Sequence, residues 1–246
     1  MLGLTCAVRV DTVFGRISFG EHDVCRVQLR LERYGDRCRY RRGSVSALVP
    51  CDDVYVYPMA PVLYPEYLTS YIMLKLQEPV MIRHGGKEEF WARLEFDVAI
   101  VVGSGDAGYE VVDVFPSSGI GKYALYGSPN RGIIVRFVPV EVLFEPLEEP
   151  CKALVRVTVH NRSIRPIRLS RIVFPAQPFN LYYDDAGRVA GSSIYVAVTS
   201  PFTAVVSLRE LNLPDGFRKA PRLLGQKGGV AVQTRWSQSF VMNYGL

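Results

Sequence analysis

The chain has 246 residues, of which 48% are hydrophobic, and this length and apolar content exclude a disordered segment and a mini-protein. Basic residues exceed acidic ones by 29 to 24, a surplus too small to select nucleic acid, anionic lipid or an acidic protein as the partner. Prolines and glycines are spread along the whole chain, which is typical of short strands joined by turns and excludes long helices. Arginine dominates the basic residues and side-chain amides are scarce, which fits a thermophilic source.

The start of the chain does not form a secretory signal, because Arg9 interrupts the first apolar stretch and no small-residue cleavage site follows. We therefore expect a cytoplasmic protein. Residues 189–208 carry no charge and are long enough to span a membrane. Serines, threonines and Pro201 interrupt this stretch, however. We predict two strands around a Thr-Ser-Pro turn and no transmembrane segment.

The most charged predicted element is a β-hairpin over residues 25–41, with a turn at residues 34–36 and apolar side chains alternating along both arms. Five arginines on its opposite face are candidates for an anion-binding surface: Arg26, Arg30, Arg37, Arg39 and Arg41. Two other interpretations stay open, a solvated face and an edge strand that like charges protect from pairing. Phosphate contacts would make binding fall steeply with salt, but we expect no tight nucleic-acid binding.

Strict alternation of apolar and polar residues predicts several half-buried strands. Every even position of residues 92–102 is apolar, and the opposite face holds Trp91, Arg93, Glu95 and Asp97. The same alternation recurs in residues 153–159, 194–198 and 230–232. Turns separate these runs at intervals typical of a sandwich or barrel. The sequence therefore predicts an all-β fold with an antiparallel β-sandwich architecture.

An acidic stretch bracketed by prolines, residues 144–150, lies between two strong strands and indicates a domain boundary. We predict an N-terminal β-domain over residues 1–146 and a C-terminal β-sandwich domain over residues 147–246. The second domain opens with a strand, an asparagine-containing turn at residues 160–163 and another strand, as many immunoglobulin-like sandwiches do. The open alternative is that residues 145–150 form a long loop.

The sequence holds no signature of catalysis, a cofactor or a metal site. The glycines of residues 103–108 follow a strand without leading into a helix, so they do not cradle phosphate. The three histidines lie far apart and the five cysteines form no Cys-x-x-Cys pair. Cys25, Cys38 and Cys51 recur every thirteen residues, which we attribute to chance. We expect buried thiols, with one disulfide as the alternative for a hyperthermophilic source.

Residues 122–136 contain the densest mixture of tyrosine, cation and glycine, which suits an anionic or aromatic ligand. The candidate ligand-binding residues are Lys122, Tyr123, Tyr126, Gly127, Arg131, Gly132 and Arg136. The cations would neutralise the ligand, the tyrosines would supply flat surface and hydroxyls, and the glycines would let the backbone approach. Two alternatives stay open: a simple hairpin connection with packed tyrosines, and a structural ion pair of Arg136 within a strand.

Lys-Tyr-x-Leu-Tyr-Gly at residues 122–127 is the most specific of several sequence blocks, and further blocks lie at residues 57–62, 68–74, 79–80, 112–115, 171–174, 182–184 and 240–245. Together these blocks resemble DUF432, an archaeal family of unknown function. The chain departs from the family pattern at Asp97, where glutamate is expected, at Phe137, where tyrosine is expected, and at residues 117–121, which look like an insertion. Because the family is uncharacterised, the resemblance implies little about activity; it implies a loose association with small mechanosensitive channels.

We therefore expect a non-enzymatic cytosolic β-module that binds a protein partner or a small anionic ligand and regulates a membrane protein such as a mechanosensitive channel. The first alternative is a hydrolase or carbohydrate-active enzyme, which would need clustered acids in a deep pocket or a histidine with a perturbed pKa. The second alternative is a nucleic-acid binder acting through the hairpin of residues 26–42.

Overall fold

The computed structural model describes residues 14–63, 68–104, 108–223 and 239–246. These residues form strands and no helix, which confirms the predicted all-β fold. The strands are β1 (Gly15–Arg16), β2 (Gly20–Val24), β3 (Val27–Tyr34), β4 (Arg37–Arg42), β5 (Val45–Val49), β6 (Val54–Met59), β7 (Tyr71–Ile82), β8 (Lys87–Leu94), β9 (Asp97–Ser104), β10 (Gly108–Pro116), β11 (Lys122–Tyr126), β12 (Ile133–Val140), β13 (Val142–Leu143), β14 (Ala153–Asn161), β15 (Ile167–Pro175), β16 (Leu181–Tyr183), β17 (Val189–Gly191), β18 (Ser193–Ser200), β19 (Thr203–Arg209), β20 (Arg218–Lys219) and β21 (Ser239–Met242).

The strands form four sheets in the described part of the chain. Two are wholly antiparallel, one in the order β1-β6-β9-β10 and one a meander in the order β2-β3-β4-β5. A third runs β11-β12-β7-β15, and the largest runs β20-β16-β17-β14-β18-β19-β21, with β8 on the other edge of β14 and β13 beyond it. β7 pairs in parallel with β12, and β14 pairs in parallel with β17 and β18. The antiparallel pairings that dominate fit the predicted sandwich.

The predicted alternation correctly identifies the side chains of the core. Ala92, Leu94, Phe96, Val98 and Ile100 are fully buried, and so are the apolar positions of residues 153–159 and 194–198. Each large apolar side chain buried in this way contributes about 1.5–3 kcal/mol. The alternating residues 230–232 lie outside the described residues. Strands β17, β18 and β19 confirm the predicted strands of residues 189–208. None of the described segments is a helix able to cross a membrane.

The alternation predicts Asp97 on the solvent face, and that prediction is wrong because Asp97 is fully buried. The run is two strands: β8 ends at Leu94 and pairs with β14, whereas β9 begins at Asp97 and lies between β6 and β10. Both faces of β9 are covered, since five consecutive residues from Asp97 to Val101 are fully buried. Ala99 and Val101, which share the face of Asp97, are therefore buried as well.

Two sheets contain strands from both sides of the predicted domain boundary at residue 146. β7 pairs with β15, and β8 pairs with β14. Apolar residues of both parts also belong to one continuous core cluster. The division into an N-terminal β-domain over residues 1–146 and an immunoglobulin-like β-sandwich domain over residues 147–246 stays a prediction.

Four cysteines form two disulfides, so the expectation of buried thiols is wrong for them. Cys38 of β4 is bonded to Cys51, and Cys25 is bonded to Cys151 with the two Cα atoms 5.3 Å apart. Cys38 and Cys51, two of the three cysteines that recur every thirteen residues, are therefore covalently linked, whereas the third, Cys25, is bonded outside this series. The other bond joins residues 126 positions apart and ties the tip of the β2–β3 hairpin to the segment before β14.

The tip of that hairpin has an uncommon backbone. Val24 pairs with Val27, so Cys25 and Arg26 alone form the turn, and their φ angles are 53° and 64°. Two left-handed residues define a type I′ turn, which favours asparagine and glycine because other side chains cost about 1 kcal/mol or more each. Cys151 has a φ of 61° as well. The disulfide and the hydrogen bond from the Arg26 N–H to Asp23 Oδ1, 2.8 Å long, hold this strained turn in place.

Candidate functional site

The hairpin tip faces the end of β10 and the segment before β14 across a cleft of about 780 Å³, hereafter the basic cleft. Three cations line it, Arg26, Arg42 and Lys152, together with a single carboxylate, Glu149. The two bonded cysteines, Cys25 and Cys151, form part of its wall. The volume lies within the range of small-molecule sites, and the charge of the lining favours an anion.

The cations of the basic cleft differ in how far carboxylates neutralise them. The ammonium of Lys152 lies 3.0 Å from Glu149, which also lies 3.1 Å from the guanidinium of Arg93. Arg42 is paired with Asp113, outside the cleft lining. The exposed side chain of Arg26 forms no ion pair with any described carboxylate. Arg26 is therefore the cation that remains available to a ligand.

Arg42, Asp113 and Tyr40 form a saturated hydrogen-bond network beside the cleft. Arg42 donates from Nε and Nη2 to the two carboxylate oxygens of Asp113, at 2.6 and 2.9 Å, and the Tyr40 hydroxyl donates to Asp113 Oδ2 at 2.7 Å. A register shift between Val111 and Asp113 marks a bulge in β10, and bulges re-aim side chains. The Asp113 carboxylate raises the pKa of Arg42, and burial, reinforced by Asp113, raises the pKa of Tyr40.

Arg136 of β12 is buried, with 1% of its surface exposed. Its Nε and Nη1 atoms have no hydrogen-bond partner, and its guanidinium carbon lies 5.6 Å from the centre of the Tyr123 ring. Among the described carboxylates none forms an ion pair with Arg136. The alternative of a structural ion pair is therefore wrong for the described residues.

Asp97 lies near Arg136 and is only partly satisfied. Its Oδ2 accepts the N–H of Leu63, whereas Oδ1 has no partner. Burial raises the pKa of Asp97 to about 7, although the Leu63 N–H and the charge of Arg136 act in the opposite direction. Near neutral pH the carboxyl is thus protonated for a large part of the time, which weakens its compensation of the arginine charge.

Residues 117–121 connect β10 to β11 and lie beside both the basic cleft and Arg136. Ser117 is anchored to Phe96, since its N–H donates to the Phe96 carbonyl at 2.8 Å and its Oγ accepts the Phe96 N–H at 3.2 Å. Ser118 lines the basic cleft, yet its Oγ is buried without a partner. At the other end, a Cβ on Gly121 would overlap the Arg136 guanidinium.

The structure divides the remaining candidates of residues 122–132 between the two ends of β11. Lys122 is exposed at its start, and Arg131 is exposed in the turn beyond its end. Four strand steps separate Lys122 from Tyr126, a distance of roughly 13 Å. The two cations therefore do not converge on one small anion, and ligand binding by this set stays a prediction.

Tyr126 and Gly127 lie against the end of the chain, and Gly132 lies against the neighbouring turn. The buried Tyr126 hydroxyl donates to the Gly245 carbonyl and accepts the Tyr244 N–H, both at 3.2 Å. A Cβ on Gly127 would lie 3.0 Å from the Tyr244 ring, and the Gly132 N–H donates to the Ser128 carbonyl at 2.6 Å. These contacts give the three residues a packing role.

The arginines of the early hairpin lie on the outward face of the meander, apart from Arg26 in the turn. Arg30 lies opposite Arg41 and forms ion pairs with Glu32 at 2.9 Å and Glu21 at 3.6 Å. The Arg39 guanidinium carbon lies 3.9 Å above the Tyr34 ring. Carboxylates are thus interspersed among the cations, as on an ordinary solvated face. Anion binding by Arg30, Arg37, Arg39 and Arg41 stays a prediction.

Sequence reasoning missed Arg42 and Lys152 as cleft residues. The alternation of β4 could have identified Arg42, because Arg42 lies on the same face of the strand as the buried Cys38 and Tyr40. Lys152 carried none, since it reaches the cleft only because the neighbouring Cys151 is bonded to Cys25, far away in the chain.

No curated protein and no solved structure matches this chain. One sequence family does match, over residues 13–243, which is nearly the whole chain. That range includes the basic cleft, Arg136 and residues 117–121. The chain therefore belongs to the family described as protein of unknown function, DUF432.

Proposed function

We propose that this protein is a non-enzymatic binding module that takes a small anionic ligand in the basic cleft. The observation that carries the proposal is the lining of three cations against one carboxylate within about 780 Å³. Protein walls exclude water and strengthen electrostatic attraction, so an oxyanion gains more there than on an open surface.

Arg26 is the residue that supports the proposal most directly. Its charge has no described carboxylate as a partner, and its backbone is fixed by the type I′ turn and by the neighbouring Cys25–Cys151 bond. A fixed backbone removes the cost of ordering a loop when a ligand binds, so only the Arg26 side chain has to be ordered, which favours affinity. The half-buried Arg42 and Lys152 would add electrostatic attraction without breaking their own ion pairs.

The chemistry of the described carboxyls favours binding over hydrolysis. Asp97 is the carboxyl whose pKa is raised to about 7, the value a general acid needs near neutral pH. It is fully buried, however, and it does not line the basic cleft. A substrate in the cleft would therefore meet Glu149, which two cations already hold.

Titration calorimetry with inorganic pyrophosphate and ATP as probes tests the proposal. We expect Arg26→Ala to weaken binding about tenfold or more, because a charge-assisted hydrogen bond contributes about 1.5–3 kcal/mol. Arg37→Ala removes an exposed cation from the same meander outside the cleft and serves as the matched control. Equal affinities of the two variants, or a wild-type chain that binds neither probe, would refute the proposal.

The proposal also places the protein in the cytoplasm, where the ligand-bound module regulates a membrane protein such as a mechanosensitive channel. The family resemblance supports this part. Affinity capture from native extract of the source cells, followed by mass spectrometry, tests it. We expect the wild type to recover a membrane protein and Arg26→Ala to lose it. Equal recovery by both chains would mean that the partner does not bind through the cleft.

A further inference from the structure

Two neighbouring residues hold three of the buried side-chain polar atoms that lack a partner in the described part of the chain. These atoms are Asp97 Oδ1, and Nε and Nη1 of Arg136. Buried polar groups in folded proteins almost always have a partner, supplied by the protein, by water or by a ligand. Three such atoms on two neighbouring side chains indicate that a partner is missing there.

Charge identifies the kind of partner that is missing. Arginine keeps its proton in proteins, so Arg136 places a full positive charge where only 1% of the residue is exposed. An unpaired buried charge costs several kcal/mol. The Tyr123 ring at 5.6 Å offsets about 2 kcal/mol of this cost, only a part of it. Asp97 is only partly ionised near neutral pH, so an additional anion would stabilise the site.

Residues 117–121 provide a route to Arg136 from the surface. Ser117 is fixed to Phe96, but Gly119 and Ile120 are exposed, Ile120 to 85% of its surface. No apolar contact therefore holds the middle of the segment against the protein. Gly121 lies directly against the guanidinium. A movement of this short segment would uncover Arg136.

We propose that Arg136 is a second, buried oxyanion site, filled by a carboxylate or phosphate group when residues 117–121 move aside. The open N–H groups of Arg136 donate to the oxyanion and its accompanying water. In its protonated form Asp97 also donates, from Oδ1. Arg136 does not line the basic cleft, although residues 117–119 of the covering segment do, so this second site goes beyond the one proposed above.

Thermal unfolding in anion-poor buffer, titrated with inorganic phosphate or acetate, tests the proposal on the wild type, Arg136→Met and Arg26→Ala. The wild-type Tm should rise and saturate, because a ligand that binds the folded state stabilises it. Arg136→Met should lose this response and unfold at the wild-type Tm or above it, because methionine removes an uncompensated buried charge. Arg26→Ala should keep the response. A rise with both probes identifies a general oxyanion site, and a rise with phosphate alone a phosphate site.

A response that persists in Arg136→Met would overturn the proposal, and so would a wild-type Tm that neither probe changes. A response lost in Arg26→Ala but kept in Arg136→Met would support only the basic cleft. If Arg136→Met does not fold, Gly121→Ala gives the same test, since its added Cβ displaces the guanidinium while residue 136 is unchanged. Loss of the response in Gly121→Ala then supports the buried site, and retention rejects it.

Discussion

Arg42 and Arg136 both lie near an aspartate within the same β-fold, but only Arg42 is satisfied. Asp113 accepts two hydrogen bonds from Arg42 and one from Tyr40. Arg136 is more deeply buried and has two nitrogens without a partner, and its neighbour Asp97 has an unpartnered oxygen. A half-buried arginine of this molecule is thus paired with a carboxylate. The incomplete pairing of Arg136 is what marks it as a binding site.

The largest expected effect is the pH dependence that Asp97 imposes. Its pKa rises from 3.8 to about 7 on folding, so between these values the folded protein holds a proton that the unfolded chain has lost. Stability therefore falls as the pH rises through this window, by about 1.4 kcal/mol per pH unit and up to about 4 kcal/mol in all. Asp97→Asn should remove this slope.

Denaturant unfolding of the wild type and Asp97→Asn at several pH values between 4 and 8 measures the slope. Other carboxyls contribute equally to both proteins, so the difference between the two curves isolates Asp97. That difference should shift in favour of the variant as the pH rises. Parallel curves would mean that folding does not raise the pKa of Asp97.

Removing Asp113 should have the next largest effect. Asp113→Ala leaves the Arg42 guanidinium and the Tyr40 hydroxyl without their common acceptor, and breaking a buried ion pair in this way costs about 3 kcal/mol. Denaturant unfolding measures the loss. Asp52→Ala is the matched control, because Asp52 lies 3.9 Å from Arg16 at an exposed position where the pair contributes about 0.5 kcal/mol or less. Similar losses in both variants would show that the network around Asp113 is no stronger than a surface pair.

A double-mutant cycle between Gly121 and Arg136 should show a smaller but specific coupling. Gly121→Ala forces its Cβ into the guanidinium and should cost about 2 kcal/mol through overpacking. In the Arg136→Met background most of this cost should disappear. Gly86→Ala gives the control cycle, because its Cβ would meet Arg83 and not Arg136. Additive effects of Gly121→Ala and Arg136→Met would place the guanidinium elsewhere.

The same contrast shows what the sequence can and cannot predict. Alternation identified the core faces of β8, β9 and β14 because the side-chain period of a strand is two. It misplaced Asp97 because period two does not tell a strand covered on one face from a central strand covered on both. Arg136 was among the predicted ligand-binding residues, but its guanidinium lies against Gly121 of the connection before β11, a contact that no local pattern encodes.

The disulfides show that local sequence patterns could not predict the basic cleft either. The arginine-rich hairpin and its turn at residues 34–36 were predictable from local alternation, and the structure confirms them as β3 and β4. The cleft itself depends on the bond between Cys25 and Cys151, which lie 126 residues apart. A single sequence does not reveal which distant cysteines meet, so Lys152 could not be placed beside Arg26.

The smallest expected effect is that of removing the Tyr40 hydroxyl from the hydrogen-bond network of Tyr40, Arg42 and Asp113. Tyr40→Phe removes one hydrogen bond to Asp113 but leaves both bonds from Arg42, so it should cost about 1 kcal/mol. Tyr34→Phe is the control, since Tyr34 is exposed and its hydroxyl has no partner among the described residues. Burial, reinforced by the neighbouring Asp113, raises the pKa of Tyr40 above its ordinary value of 10.0, so the hydroxyl stays a donor in mild alkali. Denaturant unfolding should therefore show that Tyr40→Phe lowers the free energy of unfolding by the same amount at pH 7 and pH 9.5. A loss that vanishes at the higher pH would show that Tyr40 ionises there. The network around Asp113 would then be incomplete, like the one around Arg136.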